Sequence, residues 1–478
     1  MNDPESHKNQ KPFLIITFLM LWFIYGATVN LWDQYGYNLM HAGVEALAER
    51  GTFSLQGSET PKFRQLEEAE VVPGRDASTD VFWKNNNLYP QKHPGMFFLG
   101  AIVYKPLSLI GIKYYKEYNL ATSLVSWLTS GLLAALTVTL FLKMGLNEGL
   151  SHGTSIIAAL SLGLGSIWFA YSGILHHDLL AGCFLFFACL TFINGHEKDR
   201  MSPMRVLIAG ALGGFAFTCS PLAALLLLPF LFGVLLLRGW KGALLFVAGI
   251  IAGTLPLLIY NTVCFENPFT LPNAAGGVQD TVPKITVTNI LEKLKWYFIS
   301  PKTAFWAFFP VFIFAVAGLV MRTGKRAKEA CLFIGGPVLL LVYIHIIESF
   351  GGAQFGPRYF IPILPVISVG FISFFKWLGN EKWSERSPLK KTVWILYGLL
   401  FALSITISAS GAIRGTMYGM DPHPFIRRLT ISLGLSGIQE TPGAHPLVYP
   451  VIFFTSILLF IFLQKNRNTF SYQWGQRY

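Results

Sequence analysis

The chain has 478 residues, 53% hydrophobic and 13% charged, with 41 phenylalanines and a formal net charge of +12. A composition this apolar, divided into runs approaching the roughly 20 residues of a spanning helix, excludes a soluble enzyme and identifies a polytopic membrane protein. The basic excess does not imply a nucleic-acid partner, because Lys and Arg gather in short connections between apolar runs, as the positive-inside rule expects.

The polar stretch Met1 to Lys11 leads into an apolar run, Phe13 to Trp32. This run is long for a signal-peptide core and lacks a small-residue cleavage pattern, so it reads as a retained first span. Lys8 and Lys11 put the N-terminus in the cytoplasm, and Asp33 emerges on the far side. Further along, Lys198 to Arg205, Arg238 with Lys241, Arg322 to Lys328, Lys382 to Lys391, and Lys465 with Arg467 mark cytoplasmic connections. The runs 206–219, 221–237, 241–260, 304–321, 330–348, 358–377, 391–411 and 447–464 alternate between them without conflict.

The first half presents a parity problem. Runs 95–112, 119–142, 154–172 and 174–194 lie between an external Asp33 and a cytoplasmic 195–205 connection, which requires an odd number of crossings. The run 95–112 is the weakest, since Lys105 and Pro106 interrupt it. A mid-bilayer charge costs about 2.5–3.5 kcal/mol on insertion scales, and proline breaks the helical ladder. A re-entrant or interfacial helix is therefore expected at 95–112, inside an external segment covering 33–118. The other large external pieces are 261–303 and 412–446. The predicted fold is an all-α bundle of about 12 spanning helices plus the interfacial one. Cys183, Cys189, Cys219 and Cys331 lie in or beside apolar runs, Cys264 falls in a polar loop, and no disulfide or zinc spacing emerges.

Several polar residues stand out on the external side. Asp33, in Leu31-Trp32-Asp33-Gln34-Tyr35, is either an ordinary interfacial residue or a partly desolvated base. In Tyr89-Pro90-Gln91-Lys92-His93-Pro94-Gly95, two prolines fix the backbone around cations suited to a phosphate, or the pair is a snorkelling lysine and a turn histidine. His176-His177-Asp178 can ligate a divalent metal or orient a phosphate and its acceptor. Gly351-Gly352-Ala353-Gln354-Phe355-Gly356-Pro357-Arg358 brings a planar cation to an external loop, where positive-inside statistics disfavour one. No phosphate-binding glycine loop, dinucleotide fingerprint or His-Glu-x-x-His signature is present in the sequence.

Together these elements resemble the GT-C superfamily of polytopic glycosyltransferases, in particular the bacterial branch related to protein O-mannosyltransferases and lipid A aminoarabinose transferases. The resemblance covers about residues 13 to 380 in order and spacing. It implies a catalytic carboxylate at Asp33 and a donor-phosphate element at His93-Pro94-Gly95, where glycine replaces the usual second proline. It also implies an acidic second loop at Asp178, without the arginine often found just before it. The implied donor is a polyprenyl-phosphate sugar. Its leaving phosphate would be stabilised by Lys92, His93 and Arg358, with Asp178, His177, His176, Tyr35 and Tyr89 as accessory or acceptor-orienting residues and a divalent metal as an open cofactor. The expected setting is a bacterial inner membrane with both termini cytoplasmic and the active face periplasmic. The competing reading is a transporter or flippase of lipid-linked sugar, which needs a polar path across the bundle. Ionisable residues in the later runs are scarce, His345 and Glu348 being the main exceptions.

Overall fold

The computed structural model describes residues 4–31, 33, 37–60, 81–84, 87–196, 202–272, 285–300, 303–323, 331–347, 349–351, 354–379 and 383–416. Tyr35, Glu348, the connections at 197–201 and 324–330, the middle of the 261–303 loop, everything from 417 onward and hence the expected span 447–464 lie outside the described residues.

Helices dominate. Among the described residues, Gln10–Ala27, Tyr118–Asn147, Leu222–Phe265, Arg358–Leu378 and Pro388–Arg414 are long and apolar enough to cross a membrane, and shorter apolar helices pack between them. The chain is an integral membrane protein. In chain order, α1 is Pro4–Ala27 and α2 is Asn38–Glu45, continued by a π-turn over Ala46–Arg50. A small antiparallel hairpin follows, β1 Val81–Lys84 and β2 Asn87–Pro90, with Phe82 opposite Tyr89. Among the described residues this pair is the one sheet in an otherwise helical fold, as the composition predicts. Leu55 extends it by donating its backbone N–H to the Leu88 carbonyl at 2.7 Å.

Helix α3, Gly95–Leu109, runs beside α2. It is continuous through Pro106, contrary to the interruption expected there. Proline removes only one N–H, and the affected turn is on the outside, where Ile102 is 70% exposed. Lys105 turns outward and donates to the Ala48 carbonyl at 2.8 Å, at the open end of the π-turn. Tyr104 donates to Glu49, Lys113 pairs with Glu49 at 3.3 Å, and the His41 and Tyr114 side chains meet at 3.1 Å. These contacts bind α2, α3 and the following loop into one unit.

Helix α4 runs from Tyr118 to Asn147, with its start tied to α2 by a 2.6 Å bond from the Tyr118 hydroxyl to Asn38. Next come α5 His152–Gly163, α6 Ile167–Ser172 and α7 His177–His196. Ser151 caps α5 by accepting from the Thr154 N–H, and Ser166 caps α6 by accepting from Trp168. Helix α8, Pro203–Cys219, packs on α9, Leu222–Phe265. At Gly239 (φ 67°, ψ −172°) α9 folds back on itself, so that the Phe230 and Phe246 rings meet 4.9 Å apart at a tilt of 56°. The expected runs 221–237 and 241–260 are thus two arms of a hairpin. Cys264 lies buried near the end of this helix rather than in a polar loop.

The remaining elements are α10 Val287–Leu294 with a π-turn Lys295–Ile299, α11 Phe312–Thr323 and α12 Gly336–Ile346. Helix α13, Leu364–Leu378, follows a 3-10 turn over Arg358–Ile363, and α14 is Pro388–Arg414. From Arg358 to Lys376 this 3-10 and α segment rises on the order of 30 Å, one bilayer core. At its far end Glu148, from the turn after α4, binds Arg322 at 2.8 and 3.0 Å and Lys376 at 2.8 Å.

Candidate functional site

The opposite end of α13 carries the polar residues that the sequence singles out. Asp33, just beyond α1, is 1% exposed. The backbone N–H of Thr416 donates to both of its carboxylate oxygens at 2.8 Å. Two features aim that N–H: Gly415 ends α14 at φ 98°, and Asn30 holds the same turn by donating to the Ile413 carbonyl at 2.7 Å. The last described helix therefore closes over Asp33, just beyond the first helix.

From Thr416 a chain of contacts reaches the other motifs. Its hydroxyl meets that of Tyr37 at 3.3 Å, and its carbonyl accepts from the Phe355 N–H at 2.9 Å. The Phe355 carbonyl in turn accepts from the Tyr171 hydroxyl at 3.0 Å. Tyr171 and Tyr37 both set ring edges against His176, at 4.7 and 5.8 Å between centroids, and His176 stacks on His177 at 4.6 Å. Burial, followed by the Asp33 carboxylate, pushes the Tyr37 phenol well above its ordinary range.

Asp178 lies in the first turn of α7, accepts from the Ser220 hydroxyl at 2.7 Å and has His177 Nε2 at 3.5 Å. Arg358 lies within electrostatic reach of Asp178, Tyr37 and Tyr171 and donates to Gln354 at 3.1 Å. Lys92, Arg358 and His93 all act electrostatically on His177. Asp33, Lys92, His93, His176, His177, Asp178 and Arg358 thus gather at one end of the bundle. Tyr89 does not join them, since it stacks on Phe82 at 5.5 Å in a separate aromatic cluster with Tyr260 and Phe265.

His93 differs from the cation expected of it. Its Nδ1 lies 2.9 Å from the Phe217 carbonyl. A carbonyl can only accept, so Nδ1 carries the proton. Burial lowers the imidazole from 6.5 to about 4, against smaller opposing effects of that carbonyl and of Asp178. The side chain is therefore neutral at neutral pH, with its Nε2 lone pair free to accept a hydrogen bond. The permanent positive charge of the site rests on Arg358 and Lys92.

Buried polar atoms of Gln91 (Nε2), His93 (Nε2), His176 (both ring nitrogens), His177 (Nδ1), Asp178 (Oδ2) and Arg358 (Nε) carry no hydrogen bond from the described residues. Buried polar groups are normally paired, so such a concentration marks where a polar ligand fits. Arg358 and Lys92 suit an anion, while the carboxylate and neutral imidazoles suit hydroxyl groups. No group of three or more His, Cys, Asp or Glu side chains among the described residues is arranged to hold a metal ion. Sequence reasoning misses Tyr37, Tyr171, Ser220 and Thr416. Only Ser220 had a visible signal, the polar break between the runs 206–219 and 221–237.

Among solved structures, the chain is similar to ArnT from Cupriavidus metallidurans, crystallised with undecaprenyl phosphate. The TM-score is 0.43 and the identity 13%, over 88% of this chain and 75% of that one. No protein-family model matches the chain, and no curated protein sequence does.

Proposed function

We propose that the protein is a GT-C-type membrane glycosyltransferase that moves a sugar from a polyprenyl-phosphate carrier to the hydroxyl of a lipid, glycan or protein acceptor. The observation carrying this reading is the meeting of Asp33, Lys92, His176 to Asp178 and Arg358 at one end of the bundle, amid buried polar atoms that lack partners. These residues come from four distant stretches of an otherwise apolar chain, and packing alone gives no reason to collect them. Arg322 and Lys376 sit at the other end of the bundle. By the positive-inside rule that end is cytoplasmic, so the site faces the periplasm or exterior. In this orientation α3, flanking α2 along its length, lies in the membrane interface rather than crossing.

The reaction is a single displacement. The acceptor oxygen attacks the anomeric carbon as the bond from that carbon to the phosphate oxygen breaks, and the electron pair leaves on the polyprenyl phosphate. Asp33 takes the acceptor proton, its carboxylate held in place by the Thr416 N–H. Arg358 and Lys92 stabilise the charge that develops on the leaving phosphate. Neutral His93 contributes an acceptor at Nε2 and adds charge only when protonated. Asp178, gripped by Ser220, orients the acceptor together with His176 and His177. The isoprenoid tail occupies a groove between helices.

The test is transfer of radiolabelled sugar from a panel of polyprenyl-phosphate sugars, in membranes carrying wild type or Asp33→Asn, with folding checked by size exclusion. Asp33→Asn is expected to lower transfer by about 10²–10⁴-fold, the usual worth of a general base. Transfer at the wild-type rate by the folded variant overturns Asp33 as base. Movement of lipid-linked sugar across the membrane without a new glycosidic bond favours the transporter.

A further inference from the structure

Helix α10 presents three chemically different faces. Asn289 and Lys293, one turn apart, point into the protein and are buried. Asn289 donates to the carbonyls of His345 and Ile347 at 3.4 and 3.1 Å. Lys293 donates to the Ser349 carbonyl and stands 3.4 Å over the Phe350 ring. On the next face Val287, Leu291 and Leu294 fall at i, i+4 and i+7 and look outward, Val287 being 75% and Leu291 59% exposed. On the third face Thr288, Glu292 and Lys295, also at i, i+4 and i+7, are exposed and polar.

A helix in water keeps its apolar stripe against the protein and its lysines outside. Here a lysine is inside and the leucines are outside, an arrangement favourable where the outward stripe meets an apolar surface such as lipid. Adjoining surfaces support that occupant. Helix α12, which α10 touches, exposes Val338 and Val342. Partly exposed Trp296 and Trp306 lie just beyond α10, Trp306 donating to the Phe298 carbonyl at 2.8 Å, and tryptophan is enriched at membrane interfaces. The buried face also leads to the candidate site. Ser349, which Lys293 holds, shares a 2.8 Å hydrogen bond with the Tyr359 hydroxyl, next to Arg358.

We propose that α10 is an interfacial helix whose Val287–Leu291–Leu294 stripe docks on the lipid surface at the candidate-site end of the bundle, and that this docking holds segment 345–351, leading to Arg358. The proposal is independent of the reaction assigned above, and its test does not use activity. The full chain is reconstituted in phosphatidylcholine–phosphatidylglycerol vesicles with nitroxides at Val287→Cys, Leu291→Cys, Thr288→Cys or Glu292→Cys. The native Cys183, Cys189, Cys219 and Cys264 are buried, and labelled wild type supplies the background. Oxygen collisions should dominate at 287 and 291, and collisions with a water-soluble nickel chelate at 288 and 292. Equal nickel accessibility at all four positions overturns the lipid contact. So does shielding of 287 and 291 from both reagents, which would mean a protein covers the stripe. A second arm reads amide hydrogen exchange over 345–351 in the same vesicles. Leu291→Glu should speed exchange several-fold and Glu292→Gln should not. Unchanged exchange in folded Leu291→Glu overturns the link between docking and the Arg358 segment.

Discussion

At Gly95 a methyl group has no room, since a Cβ there would lie 2.6 Å from Cys219 Sγ and 2.8 Å from that residue's backbone N and Cα. This close approach requires glycine at the position, because α3 starts directly against the end of α8. His93, two residues earlier, is bonded to Phe217, two residues before Cys219, so this close approach and the histidine's tautomer depend on each other. Gly95→Ala is expected to destabilise the protein by about 1–3 kcal/mol through overpacking, read as a lower Tm in detergent. His93 itself should make stability pH-dependent. The unfolded chain takes up its proton near the ordinary 6.5 and the folded chain only at about 4. The associated stability is therefore complete above 6.5 and lost as pH falls toward 4, up to about 3 kcal/mol. His41, lowered by burial to about 3, adds in the same direction. His93→Gln should flatten the decline between pH 6.5 and 4, and a pH profile parallel to wild type would mean that His93 is already charged in the folded protein. Asp33, His93, Asp178 and Arg358 were legible in the sequence because ionisable side chains are conspicuous in a chain this apolar. Their partners were not. The Phe217 carbonyl and the Thr416 N–H are backbone groups that every residue type carries, and the Asp33 to Thr416 contact closes 383 residues of chain.

At the scale of elements, the α8–α9 contact depends on facing glycines. A Cβ at Gly210 would meet the Phe246 carbonyl at 2.2 Å, and one at Gly214 the Ile250 carbonyl at 2.2 Å. In the other direction, Gly249 faces Leu207 at 2.2 Å and Gly253 faces Ala211 at 2.0 Å. Two Gly-x-x-x-Gly pairs thus let the backbones touch, and Thr218 donates across to the Gly253 carbonyl at 3.0 Å. In lipid, where apolar burial does not drive helices together, close packing of this kind does. Gly249→Leu must separate the helices and is expected to lower stability by about 3 kcal/mol. Gly398→Leu on α14, where no atom lies within 4 Å, should hold or slightly raise Tm, since leucine is the better helix former. A similar loss in both variants would mean that the effect at Gly249 does not come from the α8–α9 packing. The two pairs are visible in the sequence as spacings, yet the spacing alone does not say which helix faces which. Helix positions were easier to read: Arg238 and Lys241 flank the fold-back at Gly239 because charges collect where an apolar helix leaves the bilayer. The fate of Pro106 was not legible, because tolerance of a proline depends on which side of the helix faces outward.

Across the whole molecule, the candidate site and the Glu148 cluster sit at opposite ends of the same α13 segment, and each end has its own electrostatic logic. Glu148 is largely buried, which by itself would raise its pKa. The hydrogen bonds and charges of Arg322 and Lys376 outweigh that and hold the carboxyl below its usual range. Its stabilising contribution is therefore present above the ordinary carboxylate range and lost as pH falls below it. Because Arg322 is only 6% exposed on its side chain and Lys376 is 42% exposed, the Arg322 pair carries most of the effect and the lysine is screened by solvent. Glu148→Gln leaves a buried guanidinium without its counter-charge and is expected to destabilise by about 3–5 kcal/mol. Glu148→Met combined with Arg322→Met, which removes both charges, should recover much of that loss. The wild type is thus expected to lose stability in two stages on acidification: first through the buried histidines beginning below 6.5, then through Glu148 below the carboxylate range. Glu148→Gln should abolish the second stage while leaving the first, and His93→Gln should reduce the first while leaving the second. Melting curves of the two variants across this pH series check the assignment, and a single stage lost in both would mean that the two ends of the bundle do not unfold as independent electrostatic units.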